Sequence, residues 1–397
     1  MSASIRIGRI FGIPIYLHLT FLLILPLFIY AFSAANSVEL LGIPLSFSDL
    51  DADVWVKYVF GTVTTLLFFA TIVAHELAHS YLALRYGVQI RSITLMIFGG
   101  VASMEDIPRQ PRQELKMAFA GPLSSLLIAG VTFAGMLLFR ALDGGSMILD
   151  GMVVMLGMLA VYNAFLAGFN LIPAFPMDGG RVLRSYFATK MPYVDATKKA
   201  ARIGKYLAIV MGIMGIFNFW LILIALFVYI GASEEEQATT VSESLQGLSV
   251  RQLMSDAVQV VHPDTTVQQL HDIILSTRHK GFPVVDGGLV GVVTLSDTHR
   301  VPREHLSFAR VRDIMTRDVV TVPPDMDAVK ALNLLSERKI DRLVVLDGGR
   351  LAGIVTRNDF MRAVDVIMAR KRMVWGQGQQ PPQPPYVPPP SPPTASS

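Results

Sequence analysis

The 397-residue chain contains no cysteine, which excludes disulfides and thiolate metal ligands. Any metal it holds must be bound by His, Asp or Glu. Charge is scarce too: 16% of residues are charged and 52% are hydrophobic, outside the balance of an ordinary soluble protein. The net charge of +3, with no clustered basic stripe in the polar part of the chain, offers no footing for nucleic acid. What the chain has instead is asymmetry. Residues 1–232 hold long apolar runs, residues 240–370 have the composition of a globular domain, and the polar stretch Ser233–Thr240 joins them. The proline-rich end around Gln379–Pro390 cannot build a core and is expected to be disordered.

A membrane-spanning helix needs about 20 apolar residues. Residues 13–34, 56–84, 115–139 and 147–169 qualify. The stretch from Ala200 to Ala232 would be roughly 50 Å long as one helix, too long for a single span. Gly212, Gly215 and Asn218 lie in its middle, so it reads as a helical hairpin and brings the total to about six spans. The first segment follows Arg6 and Arg9 without a small-residue cleavage site and is expected to be a retained anchor. Lysine and arginine set the orientation. The loops Ala34–Val56 and Ala141–Asp150 carry none, whereas Arg85, Arg91, Arg109 and Arg112 join the second and third spans. Arg181, Arg184, Lys190, Lys198, Lys199, Arg202 and Lys205 follow the fourth. Both basic regions, the N-terminus and the polar domain are therefore expected in the cytoplasm, in a multi-pass protein of the cell membrane.

Inside the second apolar run stands His75-Glu76-Leu77-Ala78-His79. Residues four apart share a helix face, so both imidazoles can reach one metal, with Glu76 placed as base toward a metal-bound water. Ionisable groups in a spanning helix are costly and mark function by default. His75 precedes Arg85 by ten residues, which puts the pair about 15 Å below the cytoplasmic surface. A catalytic zinc takes three protein ligands and an open position. The third candidate is Asp178, in the stretch Phe169–Arg181, where Pro173 and Pro176 must end the fourth helix and open extended chain. By itself that stretch reads equally as an interfacial turn with a solvated aspartate.

Together, the two motifs resemble the site-2 protease family (peptidase family M50), the intramembrane zinc metalloproteases. Their second signature, Asn-x-x-Pro-x-x-Pro-x-Asp-Gly, is matched at Asn170, Pro173, Pro176, Asp178 and Gly179. The resemblance implies one zinc ion held by His75, His79 and Asp178, Glu76 as catalytic base, and Asn170 as a second catalytic residue lining the substrate cleft, where it helps bind the unwound peptide or the developing oxyanion. It implies cleavage of transmembrane segments of membrane proteins, with membrane lipid as surroundings. Ala120-Gly121-Pro122-Leu123-Ser124 is similar to the family's Gly-Pro element, but Ser125 stands where the family often has Asn and receives no role. Val88–Met104, rich in Ile, Val and Thr, reads as a membrane-associated hairpin or sheet, either structural or an edge for extended substrate.

Residues 250–300 and 311–362 repeat each other, Val250–Met254 aligning with Val311–Met315 and Gly291–Asp297 with Gly353–Asp359. Each half reads strand, helix, strand, strand, helix. With its Gly-x-x-Thr-x-x-Asp units the repeat resembles a pair of cystathionine-β-synthase (CBS) domains. That resemblance implies an adenine nucleotide (ATP, ADP or AMP) near Thr294, Asp297, Thr356 and Asp359, with Arg278, His279 and Lys280 toward phosphates, or else a homodimerisation module without ligand.

The expected fold is a polytopic α-helical membrane protein with a small β segment, plus a cytoplasmic α/β tandem CBS module. Its divisions are 1–232 membrane domain, 233–248 linker, 249–307 and 308–370 CBS domains, and 371–397 tail. A second reading is a CBS-regulated transporter or channel, with the His/Glu/Asp cluster as an ion site.

Overall fold

At the start of the chain, alternation outweighs hydrophobicity: Ile13 and Ile15 are buried while their neighbours are partly open, which is a strand pattern. The computed structural model describes residues 4–96, 99–104, 110–142 and 145–377, and the chain divides into two units at Thr239/Thr240. The first unit begins with strands β1 (Ser4–Ile10) and β2 (Ile13–His18), helix α1 (Phe21–Ala34) and the short pair β3 (Glu39–Leu40) and β4 (Ile43–Pro44). Helix α2 (Val54–Arg85), strands β5 (Ile90–Met96) and β6 (Gly99–Met104), and helices α3 (Pro111–Ala141) and α4 (Met147–Asn170) follow. Helices α5 (Asp178–Ala188), α6 (Tyr193–Met214) and α7 (Phe219–Leu245) complete it.

The segment expected as a first span at 13–34 is thus corrected: its first third is strand, and α1 has 14 residues, about 21 Å of helix. Strand β2 runs parallel to β5, pairing Ile15 with Ile93 and Leu17 with Leu95, in a four-stranded sheet ordered β1-β2-β5-β6. The hairpin expected at 88–104 is β5–β6 in that sheet. Among the described residues three helices, α2, α3 and α4, are long and apolar enough to cross a membrane. An aromatic cluster fixes α2 against its neighbours: Phe21 meets Phe69 edge-on at 4.5 Å, and Phe28 and Phe32 pack against Phe68.

The apolar stretch after Ala200 breaks between α6 and α7, where Asn218 Oδ1 accepts a hydrogen bond from the Trp220 N–H at 3.1 Å and caps the second helix. The polar stretch 233–240 is helical rather than a loose joint. Glu234, Glu235, Glu236, Gln237 and Ala238 are good helix formers, and Glu235 and Glu236 are tied to Arg184 and Lys205.

The second unit contains α8 (Val267–Thr277), β7 (Gly281–Val285), β8 (Leu289–Thr294) and α9 (Leu295–Thr298), then α10 (Val311–Ile314), β9 (Thr321–Val322), α11 (Ala328–Arg338), β10 (Arg342–Asp347), β11 (Arg350–Thr356) and α12 (Arg357–Gln377). The second half shows the expected strand-helix-strand-strand-helix order. In the first half the leading strand is reduced to a single bridge between Val261 and Val284. The halves interlock: the Ser255 N–H donates to Ile354 O on β11, and the Thr316 N–H donates to Val292 O on β8, both at 2.9 Å. Each repeat thereby completes the other's hairpin. Residues 371–377, expected in the tail, continue α12, and residues 378–397 lie outside the described residues.

Leu343, the second residue of the central strand β10, is fully buried with Leu335, Val355 and Phe360. Leu343→Ala should cost about 2–5 kcal/mol. Thermal unfolding of the purified chain checks this; an unshifted transition for the second unit would contradict the packing described.

Candidate metal centre

Helix α2 carries His75 and His79 one turn apart, and both are buried, 2% and 8% exposed. Their Nε2 atoms lie 3.2 Å apart. Asp178 Oδ2 lies 3.3 Å from His75 Nε2 and 3.0 Å from His79 Nε2. These are the three donors that could hold one ion among the described residues. Ligands 2.0–2.1 Å from a tetrahedral zinc stand about 3.3 Å apart, so the triangle has the right size.

The far side of each ring fixes what the near side offers. His79 Nδ1 lies 2.6 Å from Met117 O. A carbonyl can only accept, so Nδ1 carries the proton and Nε2 presents its lone pair in the neutral ring. His75 Nδ1 meets Ser125 Oγ at 2.9 Å. Both outer partners belong to α3, which therefore orients both imidazoles. Ser125, given no role by sequence, is thus a contact of the site. The signal that would have found it is its spacing: four residues beyond Gly121, on the same face of α3.

Gly121 is the second residue that the motifs undervalue. A Cβ there would collide with both Nε2 atoms, so only glycine leaves the space a metal needs. Gly100 on β6 does the same for the base, because a Cβ there would come within 2.6 Å of Glu76 Cγ. The edge strand β6 therefore runs directly beside Glu76.

Asp178 is not on extended chain, as expected from sequence, but is the first residue of α5. Seven non-helical residues, 171–177, separate α4 from α5 and turn the chain back. Gly179 and Gly180 pack so closely against the backbone of residues 171–175 that neither admits a side chain. Asn170 ends α4, and its Nδ2 donates to Leu166 O of its own helix at 2.9 Å. It is not one of the three clustered donors.

The family profile described as Peptidase family M50 matches residues 63–143 and 140–212, and that of the CBS domain matches 250–301 and 311–366. A zinc metalloprotease of Methanocaldococcus jannaschii is 36% identical over 376 residues, covering 94% of this chain and 99% of the relative. This chain belongs to peptidase family M50. It is a zinc metalloprotease with CBS domains. Among solved structures, a site-2 protease from Methanocaldococcus jannaschii is 40% identical, covering 59% of this chain and 95% of that one, with a TM-score of 0.40. The CBSX2 protein in complex with AMP is 31% identical, covering 31% of this chain and 99% of that one, with a TM-score of 0.29.

In the CBS module of this M50 protease, the four predicted residues form two equivalent pairs. Thr294 donates to Asp297 Oδ2 through its N–H at 2.9 Å and its hydroxyl at 2.7 Å; Thr356 and Asp359 repeat this at 2.8 and 2.7 Å. Each carboxylate spends one oxygen capping a helix, α9 or α12, and pairs the other with an arginine three residues on, Arg300 or Arg362, at 3.8 Å. A cavity of about 420 Å³ opens between the repeats, lined by Lys280, Thr294, Ser296, His299, Lys339 and Arg342 among others. Asp297, Thr356 and Asp359 are not in its lining, and of the three basic residues expected near phosphates only Lys280 is. Lys339 and Arg342, contributed by the second repeat, were missed. Burial pushes the Arg342 guanidinium below its ordinary value, with Asp341 and Asp297 opposing. Arginine remains charged under such shifts.

Replacing Ser125 with Ala should weaken zinc binding about tenfold by freeing the His75 ring, as loss of outer partners does in metal sites. Competition against a chromophoric chelator measures it. Affinity equal to wild type would remove Ser125 from the site.

Proposed function

We propose that this zinc metalloprotease cuts transmembrane segments of membrane proteins within the bilayer. The observation that carries the reading is the position of the donors: His75 and His79 are buried on an apolar helix of membrane-spanning length, and Asp178 reaches them from α5. In this reading α1, α6 and α7 join α2–α4 to make about six crossings, the short ones accommodated by local thinning or tilt. The N-terminus and the CBS module face the cytoplasm, following the lysine and arginine bias of the loops.

His75, His79 and Asp178 hold the zinc, which when bound supplies Lewis acidity at the scissile carbonyl and lowers the pKa of a water. Glu76 takes the proton of the attacking water and delivers it to the leaving amine nitrogen. A helical substrate hides its carbonyls in internal hydrogen bonds and must unwind before attack. Strand β6, an edge of the sheet beside Glu76, offers backbone groups to such an extended segment. Asn170, at the end of α4, lines the cleft that receives it.

Glu76→Gln should retain zinc and lose cleavage by about 10²–10⁴-fold, the usual contribution of a general base. Zinc content and cleavage of a transmembrane substrate in detergent measure both. A variant that cleaves like wild type overturns the assignment of Glu76.

The CBS cavity binds an adenine nucleotide, the phosphates meeting Lys280, Lys339 and Arg342 and the ribose meeting the Thr294 end, with Asp297 behind Thr294. Asp359 with Thr356 is the equivalent pair of the second repeat. AMP or ATP at about 100 times its dissociation constant should stabilise the second unit by about 2.7 kcal/mol. An unchanged melting transition of the full chain with either nucleotide, alongside an altered dimer population, would leave homodimerisation as the module's role.

A further inference from the structure

Among the described residues of the first unit an ionic cluster is buried outside the metal centre, and the proposed chemistry makes no use of it. Arg184, six residues after Asp178 on α5, is 1% exposed. Its Nε donates to Glu114 Oε1 on α3 at 2.7 Å, and its Nη1 donates to Glu235 Oε1 on α7 at 2.5 Å. The guanidinium also faces the rings of Phe175 and Tyr193, 5.0 Å from each centroid. One cation thus touches α3, the turn before α5, the start of α6, and α7. Buried ion clusters contribute little stability over apolar packing of the same volume, but they demand one geometry.

The geometry they demand here is that of α5. This helix has 11 residues and begins with Asp178, so a rotation or slide of the helix moves the carboxylate directly. Functional groups must be held to within about 0.5 Å by their supports. Gly179 and Gly180 set how closely the start of α5 approaches the preceding turn. Close packing against backbone fixes distance better than rotation, and Arg184, with carboxylates on two other helices, supplies the second point of attachment. We infer that Arg184 is a positioning residue for Asp178, its forked ion pairs to Glu114 and Glu235 holding α5 so that Oδ2 meets the two histidines. The inference rests on Asp178 being a ligand.

The test uses the purified full-length chain in detergent and reads two quantities: zinc affinity by chelator competition, and the melting temperature of the metal-free protein. Asp178→Asn is the control; unchanged affinity there overturns the ligand assignment itself. With that control weakened, Glu235→Gln should weaken zinc binding about tenfold and Arg184→Met by more, comparable to loss of outer-shell partners. Arg184→Lys should recover part of the loss, since an ammonium can pair with one carboxylate but cannot fork across both. Melting temperatures that fall while zinc affinity stays within about twofold of wild type would show a purely structural cluster and overturn the inference. Should Arg184→Met fail to fold, Glu235→Gln decides, because it leaves the Glu114 pair in place.

Discussion

Three lone pairs converge on one point inside an apolar helix bundle, and that convergence is the constraint around which the first unit is arranged. Two imidazole nitrogens and a carboxylate oxygen stand within 3.0–3.3 Å of one another, and with both rings protonated at Nδ1 all three atoms present lone pairs. A metal cation among them would satisfy all three. The surrounding structure serves this arrangement. Helix α3 supplies the outer partners of both rings and, at Gly121, the missing side chain that leaves room. Helix α5 brings the third donor from the far side of a turn that the two prolines force.

The cost of this arrangement explains how the rest of the bundle is built. Buried polar groups must be paired, and the unit pairs them locally wherever it can: Thr64, Thr65 and Thr132 donate to carbonyls of their own helices, and Asn163 does the same. Two of the long-range polar contacts among the described residues, the metal cluster and the Arg184 cluster, share the short helix α5, through Asp178 and Arg184. Aromatic rings around Phe68 and Phe69 hold α2 by shape, without directional demands. Packing thus fixes the scaffold, while polar pairing fixes the atoms that react.

The CBS module follows a different logic. Its two halves are marginal as separate units, since each hairpin is completed by a strand end from the other repeat. The cavity lies at this seam and takes its cations from both halves. A ligand there bears on the fit between the repeats as well as on either one alone.

Much of this was legible in the sequence because it depends on short-range rules. The four-residue spacing of His75 and His79 follows from helix periodicity, and the hairpin near Gly215 and Asn218 follows from length against bilayer thickness. The repeat of Gly-x-x-Thr-x-x-Asp marks the CBS pair. The strand at 13–18 was missed because an apolar run is ambiguous between helix and strand until a partner is known, and that partner, β5, lies more than seventy residues away. The placement of Asp178 at a helix start, the engagement of Ser125 with His75, and the gathering of Glu114, Arg184 and Glu235 are long-range facts of the same kind. Sequence by itself determined which residues could bind a metal and that the two histidines sit in a membrane-length helix. Only the tertiary structure decided which atoms meet and what holds them, because those contacts join helices whose separation along the chain carries no information about their distance in space.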